Sequence, residues 1–385
     1  MDIMREWKEY RFSDFVDINP TVKLSKEEKI SFVEMKDLND GKRYCCPSRE
    51  KELSGGSKFN EGDTLFARIT PCLENGKICQ VKGLKNDQGF GSTEFLVFRG
   101  KTQISDSDFI YYLSRWDDVR SHAEINLDGT SGRQRVPKEA FNDLTLLLPS
   151  LPEQKVIASV LSSLDDKIDL LHRQNATLEK MAETLFRQWF VEEVKEEWKM
   201  GQLSDEFDFT MGASPPGESY NEDAIGTPMY QGNTDFGFRF PTNRVFTTDP
   251  KKFAEKYDTL ISVRAPVGEQ NMANEKCCIG RGIAAFRYKK DKSFYSYTYY
   301  KLMSLMEEIK QFNETGTVFG AISKTDFESI EIMIPDNKSI VEFQNTTRNI
   351  DLKIQTNTEQ IHTLTSLRDT LLPKLMSNEV KLTYE

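Results

Sequence analysis

The segment Gly129-Thr-Ser-Gly-Arg-Gln-Arg-Val-Pro-Lys138 gathers side chains suited to a phosphodiester polymer. Its two glycines permit tight turns and close backbone approach. Thr130 and Ser131 offer hydroxyls for phosphate oxygens, and Lys138 a cation. Arg133 and Arg135 carry planar forks that match guanine O6 and N7, while the Gln134 amide matches adenine N6 and N7. Upstream, Tyr111, Tyr112, Arg115, Trp116, Arg120 and His122 interleave rings and cations across a short expected helix. A plain solvated loop competes for 129–138. For the rings, packing beneath a sheet is a better reading than base contact.

Other candidates are scattered more widely. Arg68, Asn75 and Lys77 flank Pro71 in an expected loop, where they either hold its shape or touch a ligand. Arg264, Asn271, Lys276, Arg281 and Arg287 concentrate positive charge within 24 residues, and Gln231, Asn233, Thr315 and Thr317 are further polar candidates.

The sequence makes a weak case for catalysis. The only histidines are His122, His172 and His362, which leaves little for imidazole triads or metal sites. Six cysteines at 45, 46, 72, 79, 277 and 278 form no CxxC spacing, so reduced structural thiols are expected rather than a disulfide framework or zinc site. No Walker lysine loop or nucleophile elbow occurs. Ala213-Ser-Pro-Pro216 is the nearest approach to the [N/D]-P-P-[Y/F] of amino-methylation, and it lacks both amide and aromatic ring. Gly89-Phe-Gly-Ser92 reads as a turn between strands rather than a nucleotide site. No apolar run approaches a membrane span, and the start has no apolar signal core, so a cytoplasmic protein is expected.

These candidates sit in a chain that repeats itself. Leu144–Pro149 matches Ile330–Pro335 at an offset of 186, and the offset persists from Asp165/Asp351 through Leu178/Leu364 to Leu185/Leu371. Upstream, Gly62-Asp-Thr-Leu65 resembles Tyr257-Asp-Thr-Leu260, and Pro71 matches Pro266, at an offset of 195. Each half runs through short apolar strands (Thr64–Ala67, Lys77–Val81, Phe95–Phe98; Leu260–Val263), a short helix, a strand ending in proline, and a closing helix. The expected fold is α+β. A first β-rich domain spans 1–150, a central helical region 151–197, a second β-rich domain 198–336 and a distal helical region 337–385.

The first closing helix shows a heptad seam: Ile157, Leu161, Leu164, Ile168, Leu171, Asn175, Leu178, Ala182, Leu185 and Trp189. The second gives Phe343, Thr347, Ile350, Ile354, Asn357, Ile361, Leu364, Arg368, Leu371 and Leu375, with Thr347 and Arg368 breaking the pattern. Ser162-Ser-Leu-Asp165 could cap a new helix, so a break near Ser162 is one alternative. Either each helix packs on its own domain, or, as duplication in one register favours, the two pair antiparallel about a pseudo-twofold. In the paired arrangement Asn175 faces Asn357.

Leu148-Pro-Ser-Leu-Pro-Glu-Gln154, with Ile157–Leu161, Leu164-Asp165, Lys167-Ile168, Asn175, Leu178-Glu179 and Leu185-Phe186, resembles the central region of type I restriction–modification specificity subunits. Gly62–Lys77 and Gly91-Ser-Thr-Glu-Phe95 are similar to segments of their target-recognition domains, and Gly212–Asn233 to the opening of the second such domain. The distal copy departs from the pattern: Asp336-Asn-Lys-Ser339 replaces Pro-Leu-x-Glu-Gln, and only Gln344 remains further on.

The resemblance implies a non-catalytic subunit without a cofactor of its own. Two recognition domains read a bipartite, gapped double-stranded DNA target, and the helices space them. Two modification subunits supply S-adenosylmethionine and methylate adenine, and ATP-dependent restriction subunits can join. A nuclease with built-in recognition domains is the alternative, and a coiled-coil scaffold without DNA a third. The net charge of −10, spread as −2, −3 and −5 over residues 1–150, 151–199 and 200–385, makes poor DNA binding by the lone chain the expectation.

Overall fold

The computed structural model describes residues 7–24, 29–130, 132–315 and 321–382. The chain forms two compact units, one of Met1–His172 with Thr358–Glu385, the other of Arg173–Asn357. Among the described residues, no helix is long and apolar enough to cross a membrane.

In the first unit Thr64–Ala67 is buried at every position, which requires cover on both faces of its sheet. The strands run in the order Val16–Ile18, Phe95–Gly100, Thr64–Ala67, Ile78–Val81, Tyr44–Cys45. Alternation sends Phe66, Ile78, Leu96 and Phe98 into one core and Leu65, Cys79, Val81 and Val97 into the other. The first core is covered by helices Ser107–Arg115 and Asp117–Ile125, the second by a smaller sheet in which Ile30–Val33 lies parallel to Gln88–Gly91. Strand Lys8–Arg11 pairs antiparallel with Thr145–Leu148. The short helix expected around Phe109–Val119 is thus two helices, separated where Trp116 turns extended at ψ 140°. Tyr111 and Tyr112 are 0% and 1% exposed, so the rings are core, as expected.

The second unit repeats this plan. Its main sheet runs Phe207–Met211, Ile283–Tyr288, Thr259–Ser262, Gln270–Met272, the same order as the first four strands above. Its small sheet again holds one parallel pair, Thr227–Tyr230 with Cys277–Ile279, and Lys199–Gln202 pairs with Glu331–Ile334. The duplication read from sequence is therefore one of topology.

The central helix is continuous from Leu151 to Arg187, and the distal helix from Asn337 to Met376. The break allowed near Ser162 does not occur: the Ser162 and Ser163 hydroxyls donate to the Ser159 and Val160 carbonyls and leave the helix intact. In the first unit Ile157 and Leu161 share a core with Leu372 and Leu375, and Arg368 meets Asp165 at 2.7 Å. In the second, Phe186 packs edge-on to Phe343, and Asn357 Nδ2 donates to Asn175 Oδ1 at 2.9 Å. The helices pair antiparallel in each unit, and the two amides face each other.

The seam is unevenly buried, with Leu185, Ile350 and Leu371 packed against the cores from its edge. Ile168, Leu171, Asn175, Ile354 and Asn357 are buried, but Leu164, Leu178, Leu185, Ile350, Ile361, Leu364 and Leu371 are only partly so. Asp165, Phe186, Asp351 and Leu372 are buried beside them instead. A straight helix repeats every 3.6 residues, so a 3.5-residue seam drifts by about 20° per heptad. Thr347 and Arg368, which interrupt the heptad of apolar residues, lie on this drifting stripe, 0% and 3% exposed.

Matching polar posts tie each helix to its domain. Asp165 accepts from Arg368 at 2.7 Å and from Tyr112 Oη at 2.6 Å. Its repeat partner Asp351 accepts from Arg239 at 3.2 Å and from Ser296. Gln154 accepts from the Asp106 amide ahead of helix Ser107–Arg115 at 2.9 Å. Gln344 accepts from the Ser296 and Tyr297 amides at the start of helix Tyr295–Ser304, at 3.1 and 3.3 Å. The retained glutamine does the same job. Asp336, in the divergent segment, caps the distal helix by accepting from the Ser339 amide at 2.9 Å.

Candidate nucleic-acid interface

In the first unit residues 128–135 form a small hairpin. Asp128 and Arg135 exchange main-chain hydrogen bonds at 3.0 and 2.8 Å. Gly129 and Gly132 turn it at φ 116° and 82°, a region side chains rarely adopt. The hairpin docks on the loop after Thr64–Ala67. Thr70 N donates to Gln134 O and Gln134 N to Thr70 Oγ1, both at 3.0 Å, and Val136 N donates to Arg68 O at 2.9 Å. Arg135 forks onto the Glu94 carboxylate at 2.7–3.0 Å, and its Nη1 reaches the Arg133 carbonyl at 3.2 Å. Arg133 is exposed and makes no side-chain hydrogen bond to a described residue.

The ten-residue segment therefore divides. Arg135 and the Gln134 main chain build the hairpin, while Thr130, Arg133 and Lys138 are exposed. Ser131 lies outside the described residues. Asn75 is exposed, Arg68 is half-buried, and Lys77 donates to the Met35 carbonyl at 3.0 Å. Arg115 sits beside Asp40 at 3.3 Å with its side chain 12% exposed, and Arg120 reaches Glu74 O at 3.4 Å. Long basic side chains next to unpaired carbonyls and carboxylates satisfy those first. Lys77, Arg115, Arg120 and Arg135 accordingly serve the loop's shape. Glu94 is the residue that sequence reasoning missed, although it lies inside the singled-out segment Gly91–Phe95.

The described residues of the second unit show the matching main-chain pairing. Ile322 N donates to Val263 O at 2.9 Å, and Arg264 bridges to Ala321 as Ile69 does to Arg135. The peptides before Pro71 and Pro266 are both cis. Arg264 is exposed, and Thr317 lies outside the described residues. Asn271 is not a surface contact: it is 0% exposed, on a strand facing the loop at Gly237, whose carbonyl accepts from Nδ2 at 2.8 Å. Lys276 is paired with Glu255 at 3.2 Å, and Arg287 with Asp258. Asn233 opens a short turn, Asn233–Asp235, and is half-buried. Gln231 and Arg281 are exposed and meet at Ser214.

The chain matches the type I restriction modification DNA specificity domain over residues 4–180 and again over 195–363, one match to each half. It belongs to that family. The putative type I restriction enzyme MjaX specificity subunit of Methanocaldococcus jannaschii is 32% identical over 295 residues, which span 71% of this chain and 68% of that protein. The type I restriction enzyme HindI specificity subunit of Haemophilus influenzae is 24% identical, across 98% of this chain and all of its own. The crystal structure of the type I restriction–modification S subunit from M. genitalium shares the fold, with TM-score 0.59 at 18% identity over 100% of this chain and 98% of that one. The alternative of a self-contained nuclease draws no support from these relatives. The two matches to the specificity domain fall one on each copy of the repeat.

Proposed function

We propose that this chain reads DNA for a type I restriction–modification complex without catalysing a reaction itself, each unit recognising one half of a bipartite, gapped target. The observation that supports this reading best is the repeated main-chain pairing beside the strand end in each unit, Val136 with Arg68 and Ile322 with Val263. Arg133 is exposed in one unit, and Gln231, Arg264 and Arg281 are exposed in the other. Arg68, Asn75, Thr130 and Lys138 are proposed as backbone contacts. The paired helices are the spacer, in domains bounded at about residues 150, 197 and 336. The partners are double-stranded DNA and two modification subunits that carry S-adenosylmethionine and methylate adenine, joined by ATP-dependent restriction subunits, all in the cytoplasm.

Net charge of −10 disfavours a tight grip on phosphates by this chain alone, because each phosphate contact adds to a steep salt dependence. The partners therefore supply most of the positive field. Affinity capture of the tagged chain from its host, with methylome sequencing with and without its gene, tests the reading. Co-purifying methyltransferase chains and loss of one gapped adenine-methylation motif are expected. A chain that purifies alone and cleaves DNA would overturn it.

A further inference from the structure

Three segments of the second unit converge on one exposed cluster. Gly280 N donates to Tyr230 O at 2.8 Å and Gly282 N to Gln231 O at 3.1 Å, which pins Arg281 by its main chain on both sides. Ala213 N donates to Ile279 O at 3.0 Å and brings Ser214 alongside. The approach depends on missing side chains: a Cβ on Gly282 would lie 2.3 Å from Gln231 O, and one on Gly212 would lie 2.1 Å from Gly280 O. Arg281 and Gln231 are thus held side by side on rigid backbone, with both side chains exposed.

Their polar atoms form one directed chain. Arg281 N and Nε donate to Ser214 Oγ at 3.3 and 3.4 Å, and Ser214 Oγ donates to Gln231 Oε1 at 3.3 Å. Gln231 Nε2 donates to Tyr220 Oη at 2.7 Å, and Tyr220 Oη donates to Pro215 O at 2.9 Å. Because the Tyr220 proton is committed to Pro215, its oxygen can only accept, so the amino side of the Gln231 amide must face it. Ser214 fixes the carbonyl side in the same way. The amide cannot flip without breaking both bonds. What it still offers outward is one N–H and one carbonyl lone pair, and Arg281 still offers its two Nη groups.

We propose that Gln231 specifies an adenine and Arg281 a guanine in the half-site read by the second unit, with Ser214 and Tyr220 as positioning residues. One donor beside one acceptor is the pattern that adenine N7 and N6 require in the major groove, and paired donors suit guanine N7 and O6. An amide free to flip would present either order and discriminate less; the tether to Tyr220 supplies the preference.

This inference rests on the DNA-reading function proposed above. The test uses the assembled complex of this chain with its methyltransferase partners, with adenine methylation measured on duplex libraries randomised at each target position. Gln231→Ala should relax preference for one A·T pair in one half-site by about tenfold or more, and Arg281→Lys should relax one G·C pair similarly. Tyr220→Phe should relax the same A·T position as Gln231→Ala and no other, which loss of fold would not do. Thermal unfolding of each variant chain identifies any that fails to fold, and Arg281→Lys keeps the charge while removing the fork. If the wild-type complex shows no gapped motif, the underlying reading fails. If it shows one and these variants leave the second half-site unchanged, or weaken all positions alike, this inference alone is overturned.

Discussion

Arg133 and Arg135 lie two residues apart and do different work, and the difference is measurable. Arg133→Ala should relax one base position by about 1–3 kcal/mol while the hairpin stays folded. A uniform loss across all sequences would reassign Arg133 to phosphate. Glu94→Gln should weaken the fork that anchors Arg135 and lower activity with less selective loss, since it loosens the whole hairpin. Sequence alone shows three forked side chains in a row; it cannot show which one a carboxylate 41 residues away has already claimed. A second residue-scale test concerns Glu206, 3% exposed and bonded to Tyr297 Oη at 2.9 Å. Burial pushes its carboxyl from 4.5 up to about 7. Between those values the folded chain holds a proton that the unfolded chain has lost, so stability present below about pH 4.5 falls as pH rises to about 7. The loss is on the order of 3 kcal/mol. Glu206→Gln should flatten this part of the melting-temperature profile between pH 5 and pH 8; an unchanged slope would mean Glu206 titrates normally.

At the scale of elements, buried polar pairs set how the helices meet. Asp165→Asn should cost about 1–3 kcal/mol, because it removes the buried charged partner of the Arg368 guanidinium and leaves it only Asp369 and the Gly41 carbonyl. Asn175→Leu should cost about 1–3 kcal/mol by removing the nearer acceptor of the Asn357 amide and leaving it Gln174 Oε1 at 3.5 Å, and Asn175→Leu with Asn357→Leu should recover most of it. Urea unfolding of the three variants decides this; equal destabilisation by the single and double leucine variants would show that the amides do not act as a pair. The strands Thr64–Ala67 and Phe95–Gly100 were legible as short apolar runs, and the antiparallel helix pair as one apolar period repeated in register on either side of a whole domain. The helix break at Trp116, the intact helix through Ser162 and the shift of the seam onto Asp165 and Phe186 were not. Each depends on tertiary partners, and Arg368 looks like an interruption until Asp165 is placed opposite it.

At the scale of the whole molecule, the repeat was the most legible feature, since one offset carries apolar strands, buried aspartates and prolines together. The loops that tell one copy from the other are irregular, and neither their partners nor their targets follow from periodicity. The central helix of 37 residues is about 55 Å long at ~1.5 Å per residue, longer than the ~34–36 Å of one DNA turn. The proposed spacer is lengthened by adding four residues after His172 and four after Asn357, where the chain passes from one unit to the other. Each insertion adds ~6 Å, or roughly one to two base pairs, and a rotation of about 40°. The decisive measurement is the adenine-methylation motif in cells carrying this variant. Both half-site sequences should be kept while the gap between them grows by one or two base pairs. An unchanged gap in an active variant would contradict the proposal that the helices set the gap between the two half-sites.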